Sequence, residues 1–331
     1  MKITMAHGSG GQETERLIRE VFAARYDNAV LHEMGDAAAV PGAERLALTT
    51  DSFVVTPLVF PGGDIGKLAV CGTVNDLLMR GAVPKYLTAG FVIEAGTEIR
   101  EVELAAASMA ETAAEAGTMI VAGDTKVVEN AHPEGGLIIN TTGVGFLKPD
   151  VEISPAQIRP GDAILLSGCL GDHHAAILSA RMKLKNQIRS DVSLLTEPVS
   201  ILLGARLGIH AMRDVTRGGL ATILNEFAQQ AGRGILLREP DIPVRQEVRD
   251  LCGLLGLDPL TMGNEGKFVA AVAAEDADQA LKLVRDTACG RDAALIGIVE
   301  ESGEATVKIR TAIGGSRVIL PLIGEGLPRI C

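Results

Sequence analysis

Strand-like and helix-like apolar segments alternate through both halves of this chain, and one polar stretch, Lys148 to Pro160, interrupts them near the middle. That order fits two mixed α/β layers with mostly antiparallel sheets. In the first half the patterning predicts strands at Leu46 to Thr50, Tyr86 to Ile93, Met119 to Ala122 and Leu137 to Phe146. Helices fit Gly66 to Arg80 and Ile99 to Ala116, where Val102, Ala105, Met109, Ala113 and Ala116 recur on one face at helical spacing. Gly161-Asp162 opens a new apolar strand, Ala163 to Ser167, so the domain boundary is placed before it. The second half repeats the mixture. Helices are expected at His173 to Leu184, Ser193 to Leu207, Gly219 to Ala231 and Ala277 to Thr287, and strands at Lys267 to Ala273, Leu295 to Val299 and Ala305 to Arg310. A length of 331 residues gives each half enough chain for its own core.

Charge and cysteine usage narrow the function. Lys and Arg total 31 against 42 Asp and Glu, a net charge of −11 that argues against a nucleic-acid partner. Cys71, Cys169, Cys252, Cys289 and Cys331 are widely spaced with no C-x-x-C pair, so neither a zinc site nor a disulfide framework is expected. The first four sit in apolar or helix-like contexts that suggest buried thiols. The N-terminal residues lack the apolar core of a secretory signal and no apolar run reaches membrane-span length, which reads as a reducing cytoplasm.

The common phosphate fingerprints are missing. Gly62-Gly63-Asp64-Ile65-Gly66-Lys67-Leu68 imitates a P-loop without its spacing or its Ser/Thr, and no G-x-G-x-x-G stands in the required context. Instead, aspartates recur at what read as turn or strand-end positions: Gly35-Asp36, Thr50-Asp51-Ser52, Asn75-Asp76, Gly123-Asp124-Thr125-Lys126 and Asp214-Val215-Thr216-Arg217-Gly218-Gly219. A single such aspartate usually caps a turn. Several converging on one cleft would repel unless cations sat between them, and magnesium takes one or two carboxylates together with triphosphate oxygens. His7-Gly8-Ser9-Gly10-Gly11-Gln12 is a glycine-rich stretch whose amides could cradle anions, or a loose terminal segment. In Gly263-Asn264-Glu265-Gly266-Lys267, Glu265 is either a base or a turn carboxylate paired with Lys267. His173-His174 fits capping or packing better than metal binding.

The sequence closes on Pro321 to Cys331, a run rich in Pro and Gly that ends in a thiol. A thiolate is a strong nucleophile near neutral pH and can carry an acyl or carbamoyl group. Extended, this flexible segment would reach on the order of 35 Å, enough to visit more than one active site.

With these residues together, the chain resembles the HypE family of hydrogenase-maturation carbamoyl dehydratases, within the AIR synthetase/selenophosphate synthetase (PurM-like) superfamily. The resemblance spans essentially the whole chain. It is carried by His7 to Gln12, Thr49-Thr50-Asp51-Ser52, Pro61 to Thr73, Gly123-Asp124-Thr125-Lys126, Asp214 to Gly219, Asn264-Glu265-Gly266-Lys267 and Pro328-Arg329-Ile330-Cys331. At His174 the family pattern usually has Gly, so the His pair gains no special role.

The resemblance implies a two-domain PurM-like α/β (α+β) fold. An ATP-binding and dimerisation domain would occupy 1–150, with its mixed sheet closing into a barrel across a homodimer. An α/β sandwich would occupy 151–320, and a flexible tail 321–331. It also implies the chemistry: a carbamoyltransferase, HypF, loads Cys331, and ATP with Mg2+ drives dehydration of the thiocarbamate to a thiocyanate. The HypC–HypD scaffold then receives cyanide for the nickel-iron hydrogenase centre. By the same resemblance Asp36, Asp76 and Asp214 hold metal. Asp51, Asn75, Gly123, Asp124, Thr125, Lys126 and Asn264 line the nucleotide, as does Asp36. Cys331, Glu265, Lys126 and His7 act in the chemistry, with Glu265 the preferred proton acceptor. A sibling synthetase acting on a free small molecule would keep the aspartates without needing Cys331. A non-catalytic assembly factor would keep the tail without needing Lys126 and Glu265.

Overall fold

The computed structural model describes residues 1–9, 11–33, 37–129, 136–301 and 304–322. Asp36 and Cys331 lie outside the described residues. In the first half, α1 (Gln12–Leu17) runs on through a π-helical stretch (Ile18–Ala23) into α2 (Ala24–Tyr26), and α3 (Ala29–His32) follows. Next come β1 (Leu46–Phe53), the short ribbon β2 (Val59–Phe60) and β3 (Gly63–Asp64), and α4 (Ile65–Met79). The half is completed by β4 (Val83–Glu94), α5 (Ile99–Glu115), β5 (Met119–Val128) and β6 (Leu137–Phe146). The main sheet has the order β1-β6-β4-β5, antiparallel except for β4 and β5, which run parallel through the crossover helix α5.

α4 is the hub of the molecule. Asp64 caps it by accepting the N–H groups of Gly66 and Lys67 at 2.8 and 3.0 Å. The glycines that imitate a P-loop therefore lead into a helix whose N-terminus is already satisfied. Thirteen of the fifteen residues of α4 are buried, as expected of a helix that is apolar all round. Gly66 lets α5 approach until a Cβ there would collide with the Ala105 carbonyl. Leu68, Val70 and Val74 have no exposed surface, and burial of each contributes about 1.5–3 kcal/mol.

The second half contains β7 (Ala163–Leu166), α6 (Asp172–Arg181), α7 (Thr196–Gly204), β8 (Ile209–Asp214), α8 (Gly219–Ala231), β9 (Ile235–Arg238) and α9 (Gln246–Leu255). It ends with β10 (Phe268–Val272), α10 (Ala277–Arg285), β11 (Ala294–Val299), β12 (Val307–Arg310) and β13 (Ser316–Ile319). Its sheet has seven strands in the order β13-β12-β9-β11-β7-β10-β8, and only β9 and β12 pair in parallel. One apolar cluster runs from Ile3 through α4 to Leu165, Val199 and Phe268, so the two halves share core. Asn75 of α4 adds a polar fastening: its amide donates to the Ser193 carbonyl at 3.0 Å and accepts the Leu195 N–H at 2.9 Å.

Register sorts the first sheet into two faces. Thr49, Asp51 and Phe53 of β1 lie level with Gly143, Thr141 and Ile139 of β6, on the face covered by α4. The other face carries Leu48 (70% exposed), Thr50 and Ser52, together with Ile138, Asn140 and Thr142. Through Ser52↔Asn140, Asn140↔Gly90 and Gly90↔Asp124, Asp124 falls on this uncovered face; Lys126, opposite Val92, does the same.

Candidate active site

Four carboxylates reach one cleft between the halves. Asp51 comes from β1, Asp76 from α4, Asp214 from the end of β8 and Glu265 from the turn before β10. They line a cavity of 250 Å3 with Thr50, Gly72, Thr216 and two arginines, Arg213 and Arg217. Asp51, Asp76 and Asp124 do not occupy the turn or strand-end positions read from sequence: Asp51 sits inside β1, which runs on to Phe53, Asp76 inside α4 and Asp124 inside β5. Helix packing overrides the turn tendency of Asn75-Asp76, and pairing with β4 does the same for Gly123-Asp124.

The cleft is electrostatically incomplete. Burial pushes the Asp214 carboxyl up, and the neighbouring Asp76 pushes it further. Asp76 is raised by its own burial and partly relieved by Thr49, whose hydroxyl donates to Oδ2 at 2.7 Å. Glu265 is raised well above the usual carboxyl range by burial first, then by Asp214, Asp191 and Asp51. The positive charge on the cavity wall only partly answers this. Arg217 stands 3.6 Å from Asp51, and Arg213 is paired with Glu226 at 3.2 Å. Hard oxygen donors short of counter-charge suit Mg2+, which needs only one or two carboxylates when phosphate oxygens and water complete its shell. Among the described residues, no group of three or more His, Cys, Asp or Glu stands close enough together to hold a metal ion.

The Glu265 turn is braced from below. Its N–H donates to Asp191 Oδ1 at 3.1 Å, and Lys267 pairs with Asp191 Oδ2 at 3.3 Å. Lys267 therefore partners Asp191, which leaves the Glu265 carboxyl facing the cavity. Asn264 Oδ1 accepts the Gly171 N–H at 2.8 Å, and its amide group donates to Val215 at 3.1 Å and Met262 at 3.3 Å. Asn264 and Asn75 thus spend their amides on backbone groups and serve as fasteners of the cleft.

Other sequence candidates lie elsewhere. Gly123, Asp124, Thr125 and Lys126 border a second cavity of 370 Å3 with Gly8, floored by Phe22, Tyr26 and Phe91, and it shares no lining residue with the carboxylate cleft. His7 is buried, its Nδ1 accepting the Thr4 N–H at 3.1 Å to cap a 3-10 turn. His173 and His174 are packed, with pKa values pushed down to about 4 chiefly by burial, and His173 Nδ1 lies 2.7 Å from Ser190 Oγ. Burial also lifts the thiol of Cys71 far up and those of Cys169 and Cys252 to about 11, so none of these three is poised as a nucleophile. Sequence reasoning gave no separate role to Thr49, Asp191 or Arg217. Asp191 lies in an irregular segment 74 residues from Glu265 and no local pattern marks it.

Residues 28–147 match the AIR synthase related protein N-terminal domain, and residues 159–310 match its C-terminal domain. These two matches, which together cover most of the chain, define an AIR synthase related protein. Within that class, the chain is 49% identical to the carbamoyl dehydratase HypE of Cupriavidus necator, over 100% of this chain and 95% of that one. A crystal structure of the hydrogenase maturation protein HypE in complex with ATP superposes with a TM-score of 0.95, at 44% identity and 99% coverage of both chains. A HypE–HypF complex matches with a TM-score of 0.80 at 45% identity, covering 92% of this chain and 99% of that one. The chain belongs to the HypE carbamoyl dehydratase family.

Proposed function

We propose that this protein uses ATP to dehydrate an S-carbamoyl group on Cys331 to a thiocyanate, supplying cyanide for the iron of nickel-iron hydrogenase. The observation that carries this reading is the carboxylate cleft with Glu265 facing it, in a chain that matches HypE over its full length. The relatives' structures with ATP and with HypF support a nucleotide and a carbamoyltransferase as the encounters of this chain as well. Transfer of cyanide to a HypC–HypD scaffold completes the proposed sequence. The units are 1–150, 151–320 and a tail from 321, acting in the cytoplasm; among the described residues no helix is long and apolar enough to cross a membrane.

ATP supplies a phosphoryl group to the carboxamide oxygen, which turns that oxygen into a phosphate leaving group. The residues of the chain do the rest. Asp36, Asp76 and Asp214 would hold Mg2+ against the phosphates, Asp51 would line the nucleotide, and Arg217 adds positive charge on the cavity wall. Glu265 takes protons from the carbamoyl nitrogen as the C–O bond breaks and the nitrile forms. A carboxylate with a raised pKa is a stronger base once ionised, and positive charge entering the cleft ionises it. Gly123, Asp124, Thr125 and Lys126 would face the nucleotide from the second cavity, whose apolar floor suits a purine. The test is intact mass: protein loaded by a carbamoyltransferase should lose one water from its carbamoyl adduct only when ATP is added. An adduct mass unmoved by ATP would sink the reading.

Two component proposals have their own checks. Asp76→Asn and Asp214→Asn should each raise the Mg2+ concentration needed for ATP-driven dehydration, and unchanged magnesium titrations in both would remove them as ligands. The uncovered sheet face, with Leu48 70% and Ile138 39% exposed, is proposed to pair with a second copy into a barrel. Leu48→Arg should shift sedimentation from dimer to monomer; a monomeric wild type or an undisturbed variant dimer would count against that pairing.

A further inference from the structure

The last described residues, Ile319 to Leu322, are held by α8, one helical turn from the loop that lines the cleft. β13 is an edge strand whose Ser316, Arg317 and Val318 are exposed, while Ile319 is buried against α8. Asn225, itself only 7% exposed, donates from Nδ2 to the Ile319 carbonyl at 3.0 Å and to the Ala221 carbonyl at 2.8 Å. Three residues further on, the Leu322 N–H donates to Thr222 Oγ1 at 3.4 Å. Thr222 lies over Gly218, so close that a Cβ on Gly218 would collide with its hydroxyl. Gly218 directly follows Thr216 and Arg217, which line the cavity containing Glu265.

Leu320 is 64% exposed and β13 has a neighbour on one side only, so little apolar burial holds the chain beyond Ile319. An end of this kind ordinarily frays. Here two side chains of one helix fasten it on the side of the cleft. We propose that Asn225 and Thr222 are positioning residues that set the departure point of residues 323–331 and so present Cys331 to the cleft. The inference rests on the reading of Cys331 as the carbamoyl carrier.

Tether arithmetic sets the expected effect. Residues 323–331 number nine, and a flexible chain of that length has a mean span of roughly 15–18 Å. Freeing the chain beyond Ile319, where pairing with β12 ends, lengthens it to twelve residues, which by the −3/2 power dilutes the thiol about one and a half times. Loss of the direction of departure adds to that dilution. A side chain that merely satisfies the buried Ile319 carbonyl would instead disturb the cleft for any substrate.

Two rates separate these roles: conversion of the protein's own loaded tail, and conversion of a free S-carbamoyl peptide with the sequence of residues 323–331. The second is measured in the full chain carrying Cys331→Ser, so that its own tail competes but cannot be loaded. Asn225→Leu should slow own-tail conversion about two- to tenfold, and Thr222→Val by less, with Thr222→Ser restoring the wild-type rate. The free peptide should be converted as fast or faster in both slowed variants, because a loosened tail competes less well. Own-tail rates equal to wild type, or own-tail and peptide rates that fall together, would overturn the inference. Thr222→Val carries the test if Asn225→Leu does not fold. A wild-type protein that fails to convert its own loaded tail would instead defeat the carrier reading beneath it.

Discussion

Glu265→Gln leaves ATP binding and the loading of Cys331 in place and slows dehydration by ~10² to 10⁴, the range for losing a general base. The substitution is nearly isosteric, and the contacts that hold the turn are spared. The bond to Asp191 comes from the Glu265 backbone, and Lys267 remains paired with Asp191. It also removes a buried carboxyl that desolvation and three neighbouring aspartates raise, so the folded protein should be no less stable. Single-turnover conversion of pre-loaded protein, followed by intact mass, reads the chemical step free of loading. A normal rate would place the proton acceptor elsewhere.

Cys331→Ala should abolish carbamoyl loading and all thiocyanate formation while leaving thermal unfolding and ATP binding close to wild type. The described core accounts for that selectivity. Cys71 has no exposed surface, and Cys169 and Cys252 carry thiols that burial holds at a pKa of about 11. At neutral pH a thiol with such a pKa is almost entirely protonated and cannot replace a reactive tail cysteine. Peptide mapping that found the carbamoyl group on Cys71, Cys169, Cys252 or Cys289 would overturn the assignment.

How far the sequence disclosed the fold depended on whether local pattern or distant pairing formed each element. Leu137–Phe146 and Gly219–Ala231 are read to the residue, because a run rich in β-branched residues marks one and an amphipathic run closed by Gly232 marks the other. Met119 to Ala122 is read short. Gly123-Asp124-Thr125-Lys126 has turn composition, yet nine register pairs with β4 carry the strand to Val128. Ile209–Asp214, with its mixed polar sequence, carries no local strand pattern and owes its strand to pairing with β10. The antiparallel bias is right, with β4–β5 and β9–β12 as the parallel exceptions.

The site divides in the same way. The motifs name Asp51, Asp76, Asp214 and Glu265, and the fold gathers all four. Beside those motifs, the Asn75 amide laces α4 to Ser193 and Leu195 of the second half, Asn264 ties the turn before β10 to Gly171, Val215 and Met262 within that half, and His7 caps a turn. Lys126 and Asp124 belong to the uncovered face of the sheet, a separation that only the register of β5 reveals. Asp191 and Arg217 gain their positions from long-range contacts that no spacing rule encodes.

The central claim is that the carboxamide oxygen itself becomes the phosphate leaving group, and the fate of that oxygen tests it most directly. Protein is loaded at Cys331 with a carbamoyl group labelled with heavy oxygen, ATP is added in ordinary water, and the released phosphate is analysed by mass. The account predicts that the label appears in phosphate in step with the loss of water from the adduct. Unlabelled phosphate, with the heavy oxygen recovered in water while thiocyanate forms, would contradict it.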